Sequence, residues 1–252
     1  MNEVIAISYN PVLLALSFAV SVLGSFVGLM ACRHIAKEDG RISWYNAGSA
    51  AIAIGGVAVW AMHFIGMLAL KVDLAMGYAA VETLVSMVAA IAATALALAY
   101  VAKAPNAPLR VVSAGIAMGL GICVMHYLGM YGMRFNGVFA WNWTLVALSV
   151  AIAVVASTAA LWLAFRANGI GLRVLAALVM GVAVCAMHYT GFAAADIICT
   201  TTNRLAMPTG FAIVPATRLV FVVAFVAGTL MLFMLIDQMR TAMDKPTVAL
   251  RR

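Results

Sequence analysis

Charge is what this sequence has least of. Lysine, arginine, aspartate and glutamate make up 9% of its 252 residues, hydrophobic residues make up 66%, and the mean hydropathy is +1.10. Soluble domains carry about a quarter of their residues charged, so the composition excludes one and points to an integral membrane protein. Acidic residues are scarcest, eight against fifteen basic ones, which leaves a formal charge of +7. The basic residues lie between apolar runs and read as topology signals, not as a nucleic-acid surface, and no nucleic-acid motif is present. Four cysteines are too few for a disulfide scaffold: Cys123 and Cys185 lie inside apolar runs, Cys32 ends one, and Cys199 falls in a polar stretch. The opening MNEVIAISYNP lacks a basic segment and a small-residue cleavage site, so the first apolar run is expected to be a retained helix and not a signal peptide.

What the chain does have is long apolar runs. Seven are long enough to cross a hydrocarbon core, near residues 11–32, 43–70, 77–102, 109–133, 142–166, 171–196 and 214–238. Runs of that length predict helices, since each satisfies its own backbone groups. The expected fold is all-α: a seven-helix membrane domain over residues 1–240, followed by a short basic cytoplasmic tail, 241–252. All six prolines, Pro11, Pro105, Pro108, Pro208, Pro215 and Pro246, fall at proposed ends or in loops, where a missing donor costs least. Arg33, Lys37, Arg41, Lys103, Arg110, Arg166, Arg173, Arg240, Lys245, Arg251 and Arg252 would share one side. Only Lys71, Arg134, Arg204 and Arg218 would take the other. The positive-inside rule then places the amino terminus outside and the carboxyl terminus in the cytoplasm. Trp60, Tyr78, Tyr131, Trp141 and Trp143 are candidates for an outer aromatic belt.

One stretch occurs three times: AMHFIGM at 61–67, VMHYLGM at 124–130 and AMHYTGF at 186–192. Three of the four histidines in the chain, His63, His126 and His188, sit in these copies, 63 and 62 residues apart. Such a period indicates repeated structural units, here helix pairs, with the seventh helix outside the repeat. The histidines lie on the second, fourth and sixth helices, which share one direction. Each precedes a charged residue, Lys71, Arg134 or Asp196, by eight positions, so all three stand at one depth, roughly 12 Å below those charges. Relative to histidine, glycine recurs at −7 (Gly56, Gly119, Gly181) and at +3 (Gly66, Gly129, Gly191). These are read as helix-packing positions, the −7 glycine lying on the histidine's own face.

Ionisable groups inside a membrane are costly and are by default functional candidates. Three neutral imidazoles converging from three helices suit a transition metal with one coordination position open. Met62, Met125 and Met187 at −1, Met67 and Met130 at +4, and Cys123 and Cys185 at −3 are candidate additional ligands or neighbours of ligands. Their sulfur shifts the preference toward copper, with zinc the rival. A haem is a further alternative. The −1 methionines stand about 100° from their histidines and cannot all point inward with them. Glu82 has two readings, an acceptor for an imidazole N–H or an interfacial carboxylate. No arrangement of nucleophile and base marks an enzyme, and no lysine in the last helix offers a Schiff base for retinal.

At these motifs the chain resembles the MHYT-domain family of bacterial membrane modules. Met187, His188, Tyr189 and Thr190 match the motif fully, and the copies at Met125 and Met62 depart at one or two positions. The resemblance implies a multi-pass inner-membrane sensor binding copper through the motif's residues and responding to a diatomic gas, O2, CO or NO. It also implies a cytoplasmic signalling partner or a fused output domain. A copper transport or delivery protein is the alternative function.

Overall fold

The computed structural model describes residues 3–37 and 39–243. Seven helices are long and apolar enough to span a bilayer: α1 Pro11–Cys32, α2 Trp44–Leu68, α3 Ala80–Ala102, α4 Pro108–Tyr131, α5 Trp143–Arg166, α6 Ile170–Ala193 and α7 Ala216–Met243. Their starts are set by local chemistry. Asn10, Ser43 and Asn142 accept hydrogen bonds from the first free N–H groups of α1, α2 and α5, while Pro11 and Pro108 occupy first-turn positions that need no donor. α7 runs to Met243, three residues into the stretch expected as a tail; the rest of that stretch lies outside the described residues.

Six helices form a closed ring in which each packs on the next and α6 returns to α1, while α7 packs outside it against α2 and α1. α2 is therefore covered on all sides: 89% of its most apolar window is buried, against 22% to 50% for the others. Close backbone approach holds the ring together. A Cβ on Gly119 would meet the Val154 backbone at 2.7 Å, and one on Gly55 would meet Ala90 O at 2.6 Å. These two contacts are equivalent, each 35 residues apart. α2 thus uses Gly55 where α4 uses Gly119, although the sequence pattern aligns Gly119 with Gly56. The nearest atoms to a Cβ on Gly56 belong to the side chains of Ile91 and Leu230, at 3.4 Å. The cause is a π-helical segment, Ile52–Ala61, in the middle of α2. Its wide turns absorb an extra residue, and the Gly55-Gly56 pair permits them.

The helix ends expected near 70, 133 and 196 are instead short antiparallel strands. β1 Glu3–Val4, β2 Ser8–Tyr9, β3 Leu70–Lys71, β4 Gly77–Ala79, β5 Met133–Arg134, β6 Gly137–Trp141, β7 Ala195–Cys199 and β8 Ile213–Pro215 form three small sheets, ordered β1-β7-β6, β2-β3 and β5-β4-β8. Each even helix leaves the ring through a strand paired with the one leading into its odd partner. Tyr9 lies opposite Leu70, Tyr78 opposite Met133 and Trp141 opposite Ala195. Backbone groups that leave a helix at the bilayer edge are thereby satisfied. Lys71, Arg134 and Asp196 belong to these ladders and not to the helices.

Candidate metal centre

The three repeats bring their imidazoles together on the ring axis. His63, His126 and His188 are each no more than 1% exposed. His63 Nδ1 lies 3.0 Å from His188 Nδ1 and 3.1 Å from His126 Nδ1, and the rings stand nearly perpendicular, with centroids 4.9 to 5.3 Å apart. One nitrogen from each residue lies within 4.8 Å of the others. A metal held at 2.0–2.1 Å in tetrahedral geometry needs nitrogens about 3.3 Å apart. The two close pairs reach that spacing after movements of a few tenths of an ångström, while His126 and His188, the widest ring pair, must close from a separation of up to 4.8 Å. Among the described residues this is the cluster of histidine, cysteine, aspartate and glutamate that can hold a metal ion.

What fixes the rings is a relay between repeats. The Nε2 edge of each imidazole lies over the +3 glycine of the next even helix: His63 over Gly129, His126 over Gly191, and His188 over Gly66. A Cβ at any of these glycines would stand 2.4 Å from that Nε2. The +3 glycines are therefore slots for imidazoles, a role that no single helix reveals. His63 Nε2 and His126 Nε2 are buried without hydrogen-bond partners. Metal-bound histidines usually donate that N–H to an oriented acceptor; here shape takes the place of a hydrogen bond. Glu82 does not supply it, because its carboxylate accepts from the Arg134 guanidinium.

Around the triad, Met62, Met125, Met187, Met67 and Met130 are all buried. Cys123 is buried and Cys185 half-buried, and neither belongs to the histidine cluster. Met187 lines a cavity that Met62 and Met125 do not reach, so the three −1 methionines do not share one orientation. Gly181 lies against Val22, with a built Cβ 2.5 Å from a Val22 methyl.

The aromatic residues at +1 pack against their own histidines, and their further partners follow from spacing. Phe64 meets Tyr78 and Tyr127 meets Trp141, each 14 residues on, with centroids 6.0 and 5.7 Å apart. Tyr189 meets Tyr9, at the other end of the ring, at 5.7 Å. Tyr127 and Tyr189 hydroxyls bond to Ser149 at 2.6 Å and Ser17 at 2.9 Å. In the first repeat the corresponding serine, Ser86, accepts instead from Trp60 Nε1 at 3.2 Å, so Phe64 has no hydroxyl to place. Trp60 and Tyr78 are thus fully internal and not part of a belt; Tyr131 and Trp143 are exposed as a belt requires. The serines were missed because one hydroxyl in an apolar run gives no signal alone. Their recurrence 22 residues after the +1 position, at Ser86 and Ser149, was the available clue.

Comparison with known proteins bears on the family of the chain. The profile of the MHYT family, described as the bacterial signalling protein N-terminal repeat, matches residues 56–114 and 119–177. The third copy, with His188, lies beyond the matched residues. The chain is 39% identical over 196 residues, 75% of its length, to the bifunctional diguanylate cyclase/cyclic di-GMP phosphodiesterase MucR of Pseudomonas aeruginosa, covering 28% of that protein. It is 33% identical over 194 residues, 74% of its length, to the cyclic di-GMP phosphodiesterase NbdA of the same species, covering 24% of it. It is 28% identical over 200 residues, 76% of its length, to the signaling protein YkoW of Bacillus subtilis, again covering 24%. The chain thus spans about a quarter of the length of these relatives. No solved structure matches it significantly. With seven membrane-spanning helices, three equivalent motifs and these relatives, the chain belongs to the MHYT family and is a multi-pass sensor module of the bacterial inner membrane.

Proposed function

We propose that His63, His126 and His188 hold a copper ion, and that the module reports a diatomic gas (O2, CO or NO) or the metal itself to a cytoplasmic output. The observation that carries this reading is the convergence of three buried Nδ1 atoms on the ring axis. Three neutral nitrogen donors leave a coordination position open, and the sulfur-rich surroundings of Met62, Met125, Met187, Met67 and Met130 favour copper over zinc. When bound, copper supplies an affinity for small gases that the apolar protein lacks. A haem fits poorly, because nitrogens within hydrogen-bond distance of one another leave no slot for a macrocycle between them.

The β-strand end of the ring is assigned to the outside and the basic end to the cytoplasm, as the charge asymmetry directs. α7 is the route to the output. It lies against α2, the helix of His63, and is tied to the start of α2 by the hydrogen bond from the Tyr45 hydroxyl to buried Asp237. A displacement of His63 therefore reaches the cytoplasmic end through two packed helices. The relatives' names suggest cyclic di-GMP turnover as the type of output, reached through a fused domain or a partner. In this arrangement α7 ends at Met243 on the cytoplasmic side, and the basic remainder of the sequence follows it there.

Metal analysis of the purified protein and of its His63→Ala, His126→Ala and His188→Ala variants is the test. The expected result is stoichiometric copper in the parent protein and its loss from each variant. Unchanged metal in all three would refute the site. Zinc in its place would refute the assignment of the metal, and copper flux into vesicles would make the module a transporter.

A further inference from the structure

Directly on the basic side of the triad lies a cavity of about 30 Å³. Its lining includes Val59, Ile122 and Val184, each four residues before a motif histidine; in α4 and α6 that spacing is one helical turn on the histidine's own face. Met118 and Met180 line it a further turn down, with Met187 at the side. The cavity thus lies on the same axis as the imidazoles. Its volume is on the order of two water-sized spheres, yet a stable internal water needs two to four polar partners. The lining offers two serine hydroxyls, Ser25 and Ser157, among aliphatic and thioether groups. The Ser25 hydroxyl is wholly buried and lacks a hydrogen-bond partner. Apolar cavities of this kind stay dry and take up apolar guests.

The wall is uneven in a way that sets the direction of access. Ser25, Ile54, Val59, Met118, Ile122, Met180 and Met187 are buried. Ala156 of α5 and Ala183 and Val184 of α6 are partly exposed, so the wall is thinnest where those two helices face lipid. Apolar gases dissolve more readily in hydrocarbon than in water, which makes the bilayer their natural supply.

We infer that this cavity is a docking site for one uncharged diatomic molecule, filled from the bilayer between α5 and α6 and emptying toward the histidine triad. The inference rests on the reading of the triad as a gas-responsive metal site. Its polar feature, the free Ser25 hydroxyl, offers a single weak hydrogen bond to a guest with an electronegative end.

The test has two arms on the full chain. In the first, chelator-treated, metal-free protein in nanodiscs is exposed to xenon and followed by 129Xe NMR. A saturable bound signal is expected; it should be lost in Ala153→Leu, which fills the cavity, and strengthened in Met118→Ala, which enlarges it. Absence of a saturable signal from the parent protein, or a signal unchanged by both variants, overturns the proposal. In the second, carbon monoxide is added to copper(I)-loaded protein carrying Ala183→Phe at the thin wall. Slowed association is expected. Unaltered rates overturn the access route. Because the xenon arm needs no metal, failure of the copper assignment leaves it readable and is distinguishable from failure of the cavity.

Discussion

Replacing Gly129 with alanine tests the interlock between repeats directly. The added Cβ would stand 2.4 Å from His63 Nε2 and 3.1 Å from its Cδ2. Ordinary contacts of this kind begin near 3.4 Å, so the ring must retreat by about 1 Å. Metal–ligand distances hold to about 0.2 Å, which means that the displaced imidazole can no longer serve as a ligand in its original place. Loss of the groups that merely orient a metal-bound histidine already costs about 10- to 100-fold in affinity, and loss of a ligand costs at least that. Titration of the purified variant against a copper(I) chelator should therefore show affinity lowered by no less than about tenfold. Gly66→Ala and Gly191→Ala should match it, because they displace His188 and His126 by the same distance. Gly48→Ala is the control: a Cβ there meets nothing within 4 Å, and the change should stabilise helix α2 by up to about 1 kcal/mol. Native affinity in Gly129→Ala, with helix content and melting behaviour intact, would refute the slot as the means of holding His63.

Further outcomes follow from the same contacts. Tyr127→Phe and Tyr189→Phe each remove one side-chain hydrogen bond, to Ser149 and Ser17, and should cost about 0.5–1.5 kcal/mol in detergent unfolding. Phe64→Tyr should also destabilise, since Ser86 already accepts from Trp60; a gain in stability would contradict that assignment. Glu82→Gln should leave metal content unchanged, as its partner is Arg134, and should cost under about 1 kcal/mol because the pair is partly exposed. Asp237→Asn weakens the tie to Tyr45 and should raise the mobility of a spin label at Met239, on the exposed end of α7; an unchanged spectrum would remove that tie from the signalling route.

The sequence showed the essentials of the site because polar residues in a membrane are few and their spacing is easily read. Three histidines at one phase of a 62- to 63-residue period, on helices of one direction, leave little freedom but to meet. The strands escaped notice for the opposite reason: pairs such as Leu70–Lys71 are too short for any alternation to show. Gly56 was misplaced because a wheel of 3.6 residues per turn does not hold through a π segment. The part played by Gly66, Gly129 and Gly191 was hidden for a deeper reason. Each serves a histidine from another repeat, and the pattern within one helix says nothing of what its neighbour inserts. Glu82 kept two readings because depth alone does not choose a partner; Arg134, on strand β5, is the one it takes.

The histidine–glycine relay also bears on how the protein is made. His63 seats on α4, His126 on α6, and His188 back on α2, so no one hairpin and no two of them complete a socket for all three rings. During insertion from the ribosome, the first two hairpins seat only His63. The other two sockets form together when the third arrives. Metal capture would then mark the moment of ring closure, and a chain halted after α4 would carry two histidines into the bilayer with nowhere to put the second.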